Sequence, residues 1–213
     1  KGGNILDSAG GALANVMTLV GRVAFVLLIV ILFVLFLNLG VSIITGLFTP
    51  DGSPYLYKGM KDGKDPVVIP QDPSNKNSIP ILRSVNQRDG IEFTWSVWLY
   101  IKDIKPEGQV KHIFHKGNSG ITNNSEHEHV QDGMNFPNNG PGMYIDSGKN
   151  ALIVVMNTFD NIMEEIRIDN IPMNKWINVM IRCEGKTVDV YINGAIAKRH
   201  VLTNVPKQNY GNI

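Results

Sequence analysis

The chain has 213 residues, 43% of them apolar and 18% charged, with 20 Lys+Arg, 19 Asp+Glu and a single cysteine. A net charge of +1 leaves no basic excess to hold a nucleic-acid backbone. One cysteine permits neither an internal disulfide nor a cysteine-rich zinc site, so the fold must rest on its apolar core.

Taken in chain order, residues 1–22 form a short N-terminal segment of small, weakly apolar residues, in which Asp7 or Ser8 is placed to cap a helix running onward. Residues 23–48 carry no charge, and Asn38, Ser42 and Thr45 are their only polar side chains. A bilayer core of ~30 Å needs about 20 helical residues, so this stretch is predicted to be a single transmembrane helix. It is longer than the ~7–15 apolar residues of a secretory signal, and no small-residue cleavage pattern follows it. Gly10 with Ala14, and Ser42 with Gly46, have the small-xxx-small spacing that lets membrane helices approach closely. Arg22 is the nearest cation before the span, whereas Lys58, Lys61 and Lys64 follow it, which orients the larger part of the chain toward the cytosol.

Lys1, Arg22 and Asp7 aside, every charge lies in residues 49–213, 18 of each sign. Residues 49–80, with Pro66, Pro70, Pro73 and Pro80, read as an extended tether holding one short strand at 67–69. Residues 81–213 read as an all-β domain. Strands are predicted at 81–84, 91–101, 112–115, 143–146, 151–157, 164–168, 176–184, 187–192 and 195–202, punctuated by pairs such as Asp132-Gly133 and Asn193-Gly194. In 91–101, Phe93, Trp95, Val97, Leu99 and Ile101 share one face. Thr94, Ser96, Trp98 and Tyr100 share the other, whose aromatic half predicts that it is covered as well. No helical period is present between Pro50 and Ile213.

The ordered set Phe93-Thr-Trp-Ser-Val-Trp-Leu-Tyr, His112-Ile-Phe-His-Lys-Gly, Gly140-Pro-Gly-Met-Tyr-Ile, Trp176-Ile-Asn-Val-Met-Ile and Gly185-Lys-Thr-Val-Asp-Val-Tyr-Ile-Asn-Gly resembles the concanavalin A-like, laminin-G-type jelly rolls. The resemblance implies an all-β jelly-roll sandwich over 81–213, with Trp176 filling the space between curved sheets and Val188, Val190 and Ile192 lining one face. In that family the stretch matching residues 209–213 is followed by strands that close the sheets. The expectation is therefore that the closing strands come from another molecule or that the sequence is part of a longer product; Lys1 in place of Met implies trimming at the front too.

Chemistry is sparse. A glycosidase needs two carboxylates about 5–9 Å apart. Glu164, Glu165 and Asp169 are the nearest candidates, with Glu165 and Asp169 on one face, but the enzymes' acidic motif is absent and a solvated edge strand is the simpler reading. His127 and His129, with Asp132, have the spacing of metal ligands in a loop whose polarity hydration explains equally. Calcium, which many laminin-G-type domains bind, has no recognisable oxygen-ligand loop here. His112 and His115 belong at a strand edge, and Cys183 shares a face with Val179 and Ile181 as a small buried residue. Asn123-Asn124-Ser125 is the only glycosylation sequon. Tyr144 and Trp98 are of a type that stacks on sugars, with a core or sheet-covering role the expectation for both. No catalytic, cofactor or metal residue is therefore assigned.

By resemblance to membrane-tethered proteins encoded by large DNA viruses, the expected function is a non-catalytic minor capsid or membrane-associated component of a virion with an internal membrane. Its expected partners are the lipid bilayer and neighbouring capsid or membrane proteins, with no nucleic acid. The alternative is a membrane-displayed, lectin-like module that binds glycans.

Overall fold

The computed structural model describes residues 5–48, 51–84, 90–105, 108–118, 120–121 and 130–213, the side chains of 5–16 excepted. It divides into two units, Lys1–Pro50 and Asp51–Ile213.

The first unit is one helix, α1 (Ile5–Phe48), of 44 residues. At 1.5 Å per residue it is about 66 Å long. Its Met17–Phe48 portion, 32 residues none of which is buried, is long and apolar enough to cross a membrane. Thr45 donates its hydroxyl to the Val41 carbonyl at 2.9 Å, which satisfies that polar group inside the helix. The helix begins two residues before Asp7, so Asp7 and Ser8 lie within its first turn.

The second unit is mostly β. Among the described residues eight strands, β1 (Glu92–Tyr100), β2 (Lys111–His115), β3 (Gly142–Ile145), β4 (Ala151–Met156), β5 (Glu164–Asp169), β6 (Trp176–Glu184), β7 (Thr187–Ile192) and β8 (Ala195–Val201), form two antiparallel four-stranded sheets. Their orders are β1-β6-β7-β8 and β2-β3-β4-β5. The predicted strands at 67–69 and 81–84 do not form: Pro66 and Pro70 flank the first and Pro80 precedes the second, and each proline removes a donor that a ladder requires. Ile69 nevertheless exchanges two backbone hydrogen bonds with Ile213, at 2.7 and 3.1 Å.

One core lies between the sheets. Ile177, Val179, Ile181 and Cys183 of β6 and Val188 and Val190 of β7 meet Met143, Leu152, Val154, Met156, Ile166 and Ile168 of the other sheet. The period of two in β6 dictates this inward set. A second cluster, Tyr144, Ile153 and Val155 with Val110, Val130, Met134 and Met163, covers the opposite face of β3 and β4. Six consecutive residues of β4 are consequently buried, and ALIVVM reads as an unbroken apolar run. Between β7 and β8, Asn193 and Gly194 both adopt positive φ (52° and 81°), the conformation a two-residue hairpin turn demands.

The C-terminal segment is fastened to the same unit. Lys116 donates to the carbonyls of Asn209 (3.0 Å) and Gly211 (2.9 Å). A Cβ on Gly211 would stand 2.2 Å from the Gly117 carbonyl oxygen, so only glycine permits this approach.

Candidate functional site

The feature that stands apart is the outer face of the β1-β6-β7-β8 sheet. Because Phe93, Trp95, Val97 and Leu99 pack toward the core, the alternation of β1 turns Trp98 and Tyr100 outward. In β6 the buried Ile177 forces its neighbour Trp176 out as well. Register sets Tyr100 opposite Trp176 and Trp98 opposite Asn178. The Tyr100 and Trp176 rings stand 5.7 Å apart in a tilted arrangement. Trp98 is 63% exposed, Tyr100 50% and Trp176 47%. Next along this face, Ser96, Met180, Tyr191 and Ile196 form a cross-strand row.

This overturns two expectations. The second face of β1 is open among the described residues, and Trp176 fills no space between sheets. For Trp176 the physical reason is strand parity, since side chains one residue apart cannot share a face; the second face of β1 is open because nothing among the described residues packs over it. Of the two sugar-stacking candidates, Tyr144 is fully buried, as expected for a core residue, whereas Trp98 is open. Tyr100 and Trp176 were missed as surface aromatics. The buried series Ile177, Val179, Ile181 and Cys183, read strictly at period two, is the signal that identifies Trp176.

The other half of the face is charged and closed upon itself. Asp189 of β7 is almost completely buried beneath Arg199, which grips it by two hydrogen bonds of 2.7 and 2.8 Å. Arg182 approaches the same carboxylate at 3.6 Å and pairs with Glu184. Hydrogen bonding from Arg199 holds the Asp189 carboxyl below its usual range. These charges are spent on one another, which leaves the aromatic rows as the adhesive part of the face.

The carboxylates considered for catalysis do not converge. Glu164 points to the core side of β5 and Glu165 to the other. The Glu164 carboxylate accepts from His200 Nε2 at 2.9 Å, from the Thr203 amide at 3.0 Å and from the Thr203 hydroxyl at 2.8 Å. Burial pushes Glu164 up, but these hydrogen bonds outweigh it and hold the group below the ordinary glutamate value. Asp169 shares its face with Glu165 as expected, but Arg167 Nε donates to it at 3.0 Å. Arg167 also reaches Asp146 at 2.6 Å. Burial raises the Glu165 carboxyl.

His127, His129 and the sequon lie outside the described residues. Asp132 is described, and its backbone carbonyl accepts from Val110 at 2.9 Å. Among the described residues no group of three His, Cys, Asp or Glu side chains could hold a metal. His112 and His115 stand on β2, an edge strand, with ring nitrogens 2.7 Å apart. Cys183 is buried, and that burial pushes its thiol up to about 12, far from reactive.

Among the described residues, one depression of about 250 Å³ lies over Glu92, Thr94 and Arg182 and one of about 120 Å³ beside Trp95, Lys116 and Tyr210. Both fall below the ~300–1,000 Å³ of a small-molecule pocket. No known protein family matches the chain, and neither a curated protein nor a solved structure matches it.

Proposed function

We propose that this is a membrane-anchored, non-catalytic structural protein whose helix resides in a lipid bilayer and whose β unit, a jelly roll of concanavalin A-like type, docks on a neighbouring protein. A minor capsid or membrane-associated role in a virion with an internal membrane fits that description. One observation carries the reading: Trp98, Tyr100 and Trp176 are exposed together on one sheet face, apart from the paired charges of Arg182, Glu184, Asp189 and Arg199. Trp and Tyr dominate binding hot spots, and contiguous exposed apolar surface marks interaction sites. The absence of catalysis is supported by Glu164 and Asp169 being committed to His200, Thr203 and Arg167.

The test is a benzoylphenylalanine photo-crosslinker replacing Trp98 in particles or membranes that contain the protein. A discrete adduct with one abundant structural protein is expected, and Tyr100→Ala with Trp176→Ala should abolish co-purification of that partner. The lectin-like alternative draws on the same open Trp98, flanked by the polar Ser96 and Asn178. Retention on a glycan array that Trp98→Ala removes, with no protein adduct, would transfer the assignment to carbohydrate.

A further inference from the structure

Immediately after the helix, residues 51–65 carry Tyr55, Tyr57, Met60 and three lysines. The backbone is punctuated at both ends by aspartate turns. Asp51 Oδ1 accepts from the Ser53 amide at 2.9 Å, and Asp62 Oδ1 accepts from the Lys64 amide at 3.0 Å. Between them the chain alternates: Pro54 and Leu56 are half-buried, whereas Tyr55 and Tyr57 face outward and Met60 is 80% exposed. Each tyrosine holds an ammonium over its ring, Lys58 at 5.5 Å from Tyr55 and Lys61 at 5.9 Å from Tyr57.

We propose that residues 53–61 dock on the lipid–water interface, with Tyr55 and Tyr57 set among the headgroups and Lys58 and Lys61 reaching the phosphates. The inference rests on the membrane-span reading. Covalent continuity selects lipid as the occupant: Tyr55 is seven residues beyond Phe48, so it cannot lie more than about 25 Å from the helix end at ~3.4 Å per residue. Interfaces enrich tyrosine because its ring is apolar and its hydroxyl wet, and they let lysine extend its stem to the headgroups. Over 51–65 the three lysines face Asp51, Asp62 and Asp65, so the segment is net neutral. Its attachment therefore depends on the tyrosines and not on anionic lipid.

The experiment places the full chain in phosphatidylcholine bilayers with a nitroxide on one introduced cysteine at a time, Met60→Cys, Ser74→Cys or Ile31→Cys; the native Cys183 is buried and stays unlabelled. Accessibility to oxygen and to a water-soluble nickel chelate is read by power saturation. Position 60 is expected to be several-fold less accessible to nickel than position 74, and adding Tyr55→Ser and Tyr57→Ser should return it to the value at 74. Equal nickel access at 60 and 74, with position 31 in hydrocarbon, overturns this inference and leaves the span intact. A nickel-accessible position 31 overturns the span and the inference with it. Shielding of position 60 that survives both serine substitutions, or that requires phosphatidylserine, also refutes it.

Discussion

Tyr144 shows how a single buried polar atom organises a loop. Its hydroxyl donates to Asn139 Oδ1 at 2.5 Å and accepts from the Asn135 amide at 3.1 Å. Asn139 in turn donates to the Asn135 carbonyl at 2.7 Å, and its own amide donates to Asn157. The second core cluster thus contains a polar network that is mutually satisfied, the condition under which buried polar groups are tolerated. Tyr144→Phe keeps the ring but strands two partners, and should lower unfolding free energy by about 1–3 kcal/mol in urea titrations. Beside it, His115 Nε2 contacts the Asn118 carbonyl at 2.9 Å, and a carbonyl can only accept. His115 Nδ1 is therefore a bare acceptor, and His112 Nε2 must be the donor to it. Burial, with His115 nearby, lowers the His112 ring to about 4, and burial lowers His115 too. The unfolded chain takes up these protons near 6.5, well before the folded one does. The contribution is therefore complete above that value and is lost as pH falls from 6.5 toward 4. Urea midpoints measured at about pH 7.5 and about pH 5 should diverge in the native chain and less so in His112→Gln. Asp189 and Glu164, both held below their ordinary values, add a further loss only in stronger acid.

At the scale of the element, β1 and β6 illustrate what parity does. Ile181 is fully buried between the sheets, while Trp98, larger still, stands in solvent. Ile181→Ala should cost about 2–5 kcal/mol of stability. Trp98→Ala should stay within ~0.5 kcal/mol of native, because surface changes away from packed features rarely exceed that. Calorimetry on both variants distinguishes an aromatic kept for folding from one kept for contact. An equal loss at Trp98 would mean that the face is packed and not open. The strand limits were legible in the sequence: 176–184 and 187–192 form with their expected bounds, and the turn at Asn193-Gly194 adopts the φ angles its composition announces. The short stretches 67–69 and 81–84 form no strand because the prolines beside them remove backbone donors, although Ile69 still pairs with Ile213 by two hydrogen bonds.

For the whole molecule, the decisive contrast is between an apolar helix with no buried residue over Met17–Phe48 and a β unit with its own core. A helix apolar on every side requires an apolar surround. The full chain should accordingly remain with the membrane pellet after alkaline extraction, and intact mass should include residues 17–48; release to the supernatant with a mass lacking them would identify a cleaved signal instead. The sheets are held to one another by more than apolar contact. Glu164 of β5 reaches His200 of β8 and Thr203 beyond it, a polar link between strands of different sheets. Lys116 fastens the C-terminal segment, and burial lowers its ammonium to about 8.

Local properties were readable from the residue order because their physics is local. Hydropathy over 23–48 announces a long apolar helix, period two announces strands and their inward faces, and the Asn-Gly pair announces its turn. The placement of Glu165 and Asp169 on one face followed from the same parity. What needed the tertiary structure was every property set by a neighbour distant in sequence. Whether the second face of β1 is covered depends on what packs over that sheet, and nothing among the described residues does. The fates of Glu164 and Asp189 likewise depended on His200, Thr203 and Arg199, brought to them by strand pairing and sheet packing that no local pattern encodes.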